Sequence, residues 1–133
     1  MRTKVSIAMC VVSIFAMALA YGQSDVSLGR VDIPFKFMAG KKEMPAGKYE
    51  FVKQGLQPSL LLRSEKSGKA TLVRIRERLA AAVNSSRDQK ARVVFDTVGD
   101  QKFLSEFWPA GNEDGYLVGI TKGEEKHEVV TAN

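Results

Sequence analysis

Between residues 31 and 120 the chain is broken every few residues by glycine, proline, asparagine, aspartate or serine, and in most of the intervening runs apolar side chains recur at every second position. A packed helix needs apolar residues three and four apart over ten or more positions, so a chain punctuated in this way must fold by pairing brief strands. Val31, Ile33, Phe35 and Phe37 alternate with Asp32, Pro34 and Lys36. That is the period of a half-buried strand, and Pro34, which has no ladder donor, places the strand at an edge or marks a bulge. Pro45 and Gly47 suit a turn, and residues 48–53 form a second strand with Tyr49 and Phe51 on one face. Leu60, Leu61 and Leu62, within 59–64, show no alternation and read as a strand covered on both sides or as a short helix.

Residues 70–76 read as a strand with Thr71, Val73 and Ile75 on one face and Leu72, Arg74 and Arg76 on the other. Residues 77–83 soften into a bend or a turn of helix, because Arg78-Leu79-Ala80-Ala81-Ala82 is good helix-forming sequence. The clearest hairpin joins 91–98 to 101–108 through Gly99-Asp100, and glycine at the first central position suits a type II′ turn. In its second arm Phe103 and Phe107 share one parity while Leu104 and Trp108 share the other, so both faces of that strand are apolar. Residues 109–115 form a loop by composition and 116–120 a final strand, leaving 122–133 as a charged flexible tail unless Val129-Val130 adds a terminal strand. About seven short strands at hairpin spacing predict an all-β fold, a small antiparallel sandwich or a partly open barrel. Periodicity leaves that choice open, since both forms bury alternate residues.

The N-terminus has a different character. Arg2 and Lys4 precede an apolar run over residues 5–19, which is shorter than the roughly 20 residues a bilayer-crossing helix needs. Residues 1–22 therefore read as a helical, cleavable signal peptide, with cleavage after Ala20 or after Gly22. Residues 23–121 make one β domain without a lasting transmembrane anchor, and the chain is expected to be exported, to the periplasm or beyond. Cys10 is the single cysteine and sits mid-run behind Met9, away from the position that lipidation requires. It leaves with the leader, so the mature domain has no disulfide and must be held by packing alone. Removing Arg2 and Lys4 leaves 18 basic against 15 acidic residues, a formal charge of +3. Such an excess argues for no nucleic-acid partner unless it is focused.

Several segments together resemble a family of small exported bacterial proteins with no assigned function. They are Val31-Asp32-Ile33-Pro34-Phe35-Lys36-Phe37, Met44-Pro45-Ala46-Gly47-Lys48-Tyr49, Leu61-Leu62-Arg63-Ser64, and the run from Val94 to Trp108 that reads Val-Phe-Asp-Thr-Val-Gly-Asp-Gln-Lys-Phe-Leu-Ser-Glu-Phe-Trp. The family pattern is IPFxF, then PAGxY, then VFxxxGDQxFLSxxW. The resemblance covers about 31–111 and departs after Gly115, where Tyr116-Leu117-Val118-Gly119-Ile120 stands in place of a basic segment. It implies export and carries no catalytic or ligand residue with it.

Chemistry-bearing residues are few. His127, the one histidine, lies in the charged tail and reads as a solvated residue, so a Ser-His arrangement lacks its base. Asp96 and Glu106 on the predicted hairpin would make a carboxylate pair only if they faced each other across a substrate. Without cysteines or paired histidines there is no metal-ligand spacing, and no cofactor is implied. Arg74, Arg76 and Arg78 would line one strand face at about 7 Å per pair, facing an anionic partner or forming a solvated face paired with Glu65, Glu77 or Asp88. Trp108, with Glu106 and Tyr116 near it, would make an aromatic platform for a sugar or peptide unless the rings are needed in the core. The reading is a non-enzymatic exported binding or structural module of the cell envelope. A carrier with an apolar cavity among Phe35, Phe37, Phe51, Phe95 and Phe103 is the alternative, and a carboxylate-based hydrolase comes third.

Overall fold

The computed structural model describes residues 25–82, 86–119 and 126–133; the expected signal peptide, 1–22, lies outside them. The described residues form two sheets and no helix. β1 (Asp25–Ile33), β4 (Gly47–Gln54), β5 (Ser59–Ser64) and β6 (Ala70–Arg74) make an antiparallel four-stranded sheet in the order β1-β4-β5-β6. The second sheet runs β11 (Lys126–Thr131), β8 (Arg92–Val98), β9 (Gln101–Trp108), β10 (Gly115–Leu117), β7 (Glu77–Leu79). β2 (Phe37–Ala39) joins it through a parallel bridge, Met38 to Phe103, and pairs with β3 (Lys42–Met44). The sheets are not closed into a barrel, and the architecture is that of a sandwich.

Aromatic side chains hold the layers together. From the first sheet Val31, Ile33, Tyr49, Phe51, Leu60, Leu62 and Val73 point inward, and Phe37, Val93, Phe95, Leu104 and Phe107 meet them from the second. The Phe51 ring stacks on Phe107 at 4.2 Å and 9°, while Phe37 meets Tyr49 and Phe95 edge-on at 5.3 and 5.4 Å. The contacts of Phe51 with Phe107 and of Phe37 with Tyr49 span the two sheets, that of Phe37 with Phe95 lies within one, and each adds to the burial of its rings. Of the five rings expected to line a carrier's cavity, Phe37, Phe51 and Phe95 occupy the core. Phe35 packs edge-on against Phe95 at the rim, and Phe103 lies on the outer side of its sheet.

Four details depart from the sequence reading, each for a local reason. The strand expected to run from Val31 through Phe37 is cut at Pro34, which ends β1 at the sheet edge and passes the chain to β2 in the opposite layer. The strand expected over 70–76 stops at Arg74. The chain then crosses to the other sheet, with Ile75 N–H donating to Pro58 O and Arg76 N–H to Leu117 O, and continues as β7 where helix was one option. Cross-strand pairing outweighs a weak local helix preference there. Residues 126–131, expected within the flexible tail, form β11 on β8 because Val130 and Ala132 reach the core. The short elements β2, β3 and β7, together with β11, raise the strand number above the expected seven.

The hairpin turn forms as expected, with φ of 59° at Gly99 and no positive φ at Asp100, as a type II′ turn requires. Beyond it the register shifts between Val94 and Phe95, so Ser105 is the extra residue of a bulge. Leu104 and Phe107 then both face inward, while Phe103, Glu106 and Trp108 face outward. The Ser105 carbonyl accepts the N–H groups of Val118 and Gly119 at 2.8 and 3.1 Å, which brings Val118 into the core.

Tyr49 ties the β3–β4 turn to the core: its hydroxyl donates to Pro45 O at 2.5 Å, and burial pushes its phenol above the ordinary value of 10.0. A neutral form favoured by folding stabilises the protein fully below pH 10, and this contribution falls away as pH rises through 10 toward the raised value. Urea titrations at pH 7, 9.5 and 11 should therefore show a steeper alkaline loss for the native chain than for Tyr49→Phe. At pH 7 the variant should be about 1 kcal/mol less stable through its lost hydrogen bond. Equal alkaline slopes would remove Tyr49 from the alkaline transition.

Candidate functional site

The outer face of the seven-stranded sheet gathers the most chemistry. On this face β8 presents Arg92, Val94 and Asp96, and β9 presents Trp108, Glu106 and Phe103 opposite them. β11 adds His127, Val129 and Thr131, which pair with Asp96, Val94 and Arg92. On the other side of β9, Leu117 pairs with Glu106.

Trp108 is the chain's one tryptophan. Its indole lies against Gly115, where an added Cβ would stand 2.5 Å from Cδ2 and 2.6 Å from Cε3. The Arg92 guanidinium carbon sits 4.6 Å from the ring centroid, a cation–π contact. The ring is thus held half-buried on the sheet surface, braced by a bare backbone on one strand and a cation on another. Valines, Leu117 and Phe103 make an apolar strip beside it, rimmed by Arg92, Glu106 and His127.

Asp96 is only 3% exposed, an unusual state for a carboxylate on the outer side of a sheet. His127 accounts for it. Expected to be solvated in a tail, it is carried by β11 opposite Asp96, and its Nδ1 lies 2.8 Å from Oδ1 of that carboxylate. The imidazole itself stays largely exposed. The strand pairing that creates this contact leaves one trace in the sequence, the Val129-Val130 pair in an otherwise charged segment. Replacing His127 by alanine strips Asp96 of this partner and should cost about 1–3 kcal/mol, the desolvation penalty of the group left behind. Hydrogen exchange should quicken in β11 before the rest of the sheet; unchanged stability and exchange would show that the contact holds nothing.

Glu106 lies on the same face as Asp96 but opposite Val94, and Asp96 is engaged by His127. The two carboxylates are thus offset along the strands and are not directly opposite each other in the register. Among the described residues no group of three or more His, Cys, Asp or Glu side chains is placed to hold a metal. Of the expected aromatic platform, Trp108 and Glu106 share this face, but Tyr116 does not: it pairs with Phe107 and packs against the core. The register of β10 on β9 decides this, by setting Tyr116 opposite Phe107, and it does not show in the period of the sequence.

The three arginines do not line one strand. Arg74 ends β6 in the first sheet, Arg76 lies in the crossing, and Arg78 sits on β7 in the second sheet. The corner between the sheets breaks the spacing that a continuous strand would give. Arg78 Nε stands 3.7 Å from Asp114 Oδ2, and Asp114 Oδ1 also accepts the Ala81 N–H. Arg76 lines a shallow cleft of about 180 Å³ with Lys41, Met38, Phe103 and Val118. Among the described residues no carboxylate lies within salt-bridge distance of Arg74 or Arg76. Three acids elsewhere have other partners: Glu50 and Glu65 meet Arg30 at 3.0 and 3.2 Å, and Glu43 meets Lys36 at 3.3 Å. No family model, no curated protein and no solved structure matches this chain.

Proposed function

We propose that the chain is an exported, non-enzymatic binding module of the cell envelope, and that the outer face of its seven-stranded sheet, centred on Trp108, is the contact surface. The observation that carries this reading is the fate of the aromatic residues. Phe37, Tyr49, Phe51, Phe95 and Phe107 are consumed by the core, whereas the single tryptophan is held outward against Gly115 with Arg92 and Glu106 beside it. An aromatic ring with a cation and a carboxylate at its rim suits polymers that offer both apolar faces and hydrogen-bonding groups, such as glycans and peptides. The burial of Phe37, Phe51 and Phe95 together in one core cluster supports a surface binder over a carrier, and the leader-like residues 1–22 support export.

Expression of the full chain in a bacterial host should yield a product outside the cytoplasm whose N-terminal residue is Tyr21 or Gln23. That product, mixed with insoluble cell-wall polymer and separately with membrane vesicles, should co-sediment with one of them, and Trp108→Ala should abolish the co-sedimentation without unfolding the domain. Recovery of the intact N-terminus in the cytosol would overturn export. Equal sedimentation of native and Trp108→Ala protein would overturn the assignment of the face.

A further inference from the structure

We infer that the free edge of β6 is a docking site for an extended acidic polypeptide segment, which would add to the four-stranded sheet as a fifth strand. Among the described residues β6 pairs with β5 alone. Ser64 N–H donates to Lys69 O and Ile75 N–H to Pro58 O, so residues 69 and 75 turn their backbone groups toward β5. By the alternation of an antiparallel ladder, 71 and 73 do the same, and Ala70, Leu72 and Arg74 direct their N–H and C=O groups outward. An unpaired row of this kind is a template for strand addition.

The side chains along the edge state what the segment should carry. Across the outer face of this sheet Val52, Leu61 and Leu72 lie in register on β4, β5 and β6. The first two are buried, at 3% and 9% exposed, while Leu72 is 58% exposed, so the apolar row stops at the edge without a final neighbour. Two residues on, Arg74 has no carboxylate in reach among the described residues, and Arg76 follows it in the same condition. A strand laid against β6 therefore meets Leu72 with an apolar residue and Arg74 with an acidic residue two positions away. The repeated positive charge disfavours pairing this edge with the same edge of a second copy. The other long edge of this sheet, β1, is interrupted by a bulge between Ser27 and Gly29, a feature that blunts strand addition. The inference takes the binding-module reading as its premise but uses a surface separate from the Trp108 face, so either can fail alone.

The test uses a fluorescein-labelled peptide, Thr-Glu-Thr-Val-Thr-Glu-Thr, its counterpart with both glutamates replaced by lysine, and a copy of the acidic peptide N-methylated at alternate residues. Fluorescence polarisation with the mature protein should show the acidic peptide binding at least tenfold more tightly than the lysine peptide, and the N-methylated copy not binding. Arg74→Glu, a change at an exposed position, should reverse the charge preference, while Trp108→Ala should leave it unchanged. Amide exchange at Ala70, Leu72 and Arg74 should slow on binding. Equal binding of the N-methylated and unmethylated acidic peptides, indifference to Arg74→Glu, or no binding of the acidic peptide at millimolar concentration would each overturn the inference.

Discussion

Replacing Phe51 by alanine is expected to lower the free energy of unfolding by about 3–5 kcal/mol, the usual cost of removing a fully buried phenylalanine. Phe51 is inaccessible to solvent and lies flat on Phe107 of the opposite sheet, so its removal opens a gap where the two layers meet. A domain of this size has a total stability on the order of 5–15 kcal/mol. With one cysteine in the chain, no intrachain disulfide limits the loss, and the melting temperature should drop on the order of 15–25 °C. The partner substitution Phe107→Ala should cost a similar amount, and the double variant less than the sum. The difference should include the roughly 0.5–1.5 kcal/mol by which a stacked pair exceeds its area burial. Leu72→Ala, at an exposed edge, should shift stability by no more than about 0.5 kcal/mol. Urea midpoints for the four variants decide the matter: a Phe51→Ala protein within about 1 kcal/mol of the native one would show that the ring stack does not hold the sheets together.

The second large effect is expected at Gly115. A valine there places its Cβ inside the volume of the Trp108 indole, so the ring must leave its seat and the Arg92 contact with it. Overpacking of this kind costs about 1–3 kcal/mol. Valine's preference for strands opposes it by at most about 1 kcal/mol, so the steric term wins and the variant is destabilised. Because Trp108 is the sole tryptophan, its emission reports the move directly and should shift to the red as the indole enters water. The cause can be isolated by combining Gly115→Val with Trp108→Ala. Once the indole is gone, valine at 115 should be neutral or slightly stabilising relative to glycine. Native-like emission and melting in Gly115→Val alone would mean that the glycine does not seat the ring, and the case for a built aromatic surface would lose its support.

How far the primary structure reaches can be judged from individual residues. The alternation at Tyr49 and Phe51, the Gly99-Asp100 turn and the doubly covered Leu60–Leu62 segment all rest on local chemistry, and each is found where that chemistry puts it. Trp108 and Glu106 are likewise legible as outward candidates, although the parity argument assigned Phe103 and Leu104 to the wrong faces. The bulge at Ser105 is responsible: one extra residue reverses every side chain beyond it, and nothing in a serine announces it. The arginine row fails for a related reason, since a strand that turns a corner between sheets keeps its sequence spacing and loses its common face.

Residue order alone was enough to require brief paired strands and a core without covalent staples, because period-two burial is a property of neighbours along the chain and a single cysteine leaves no intrachain disulfide to form. The layer each strand enters, the pairing of Asp96 with His127 some thirty residues away, and the seat that Gly115 makes for Trp108 were decided only when the sheets packed. Those outcomes depend on which distant strands meet and in which register, and that is settled by the summed burial of many side chains rather than by any one stretch of sequence.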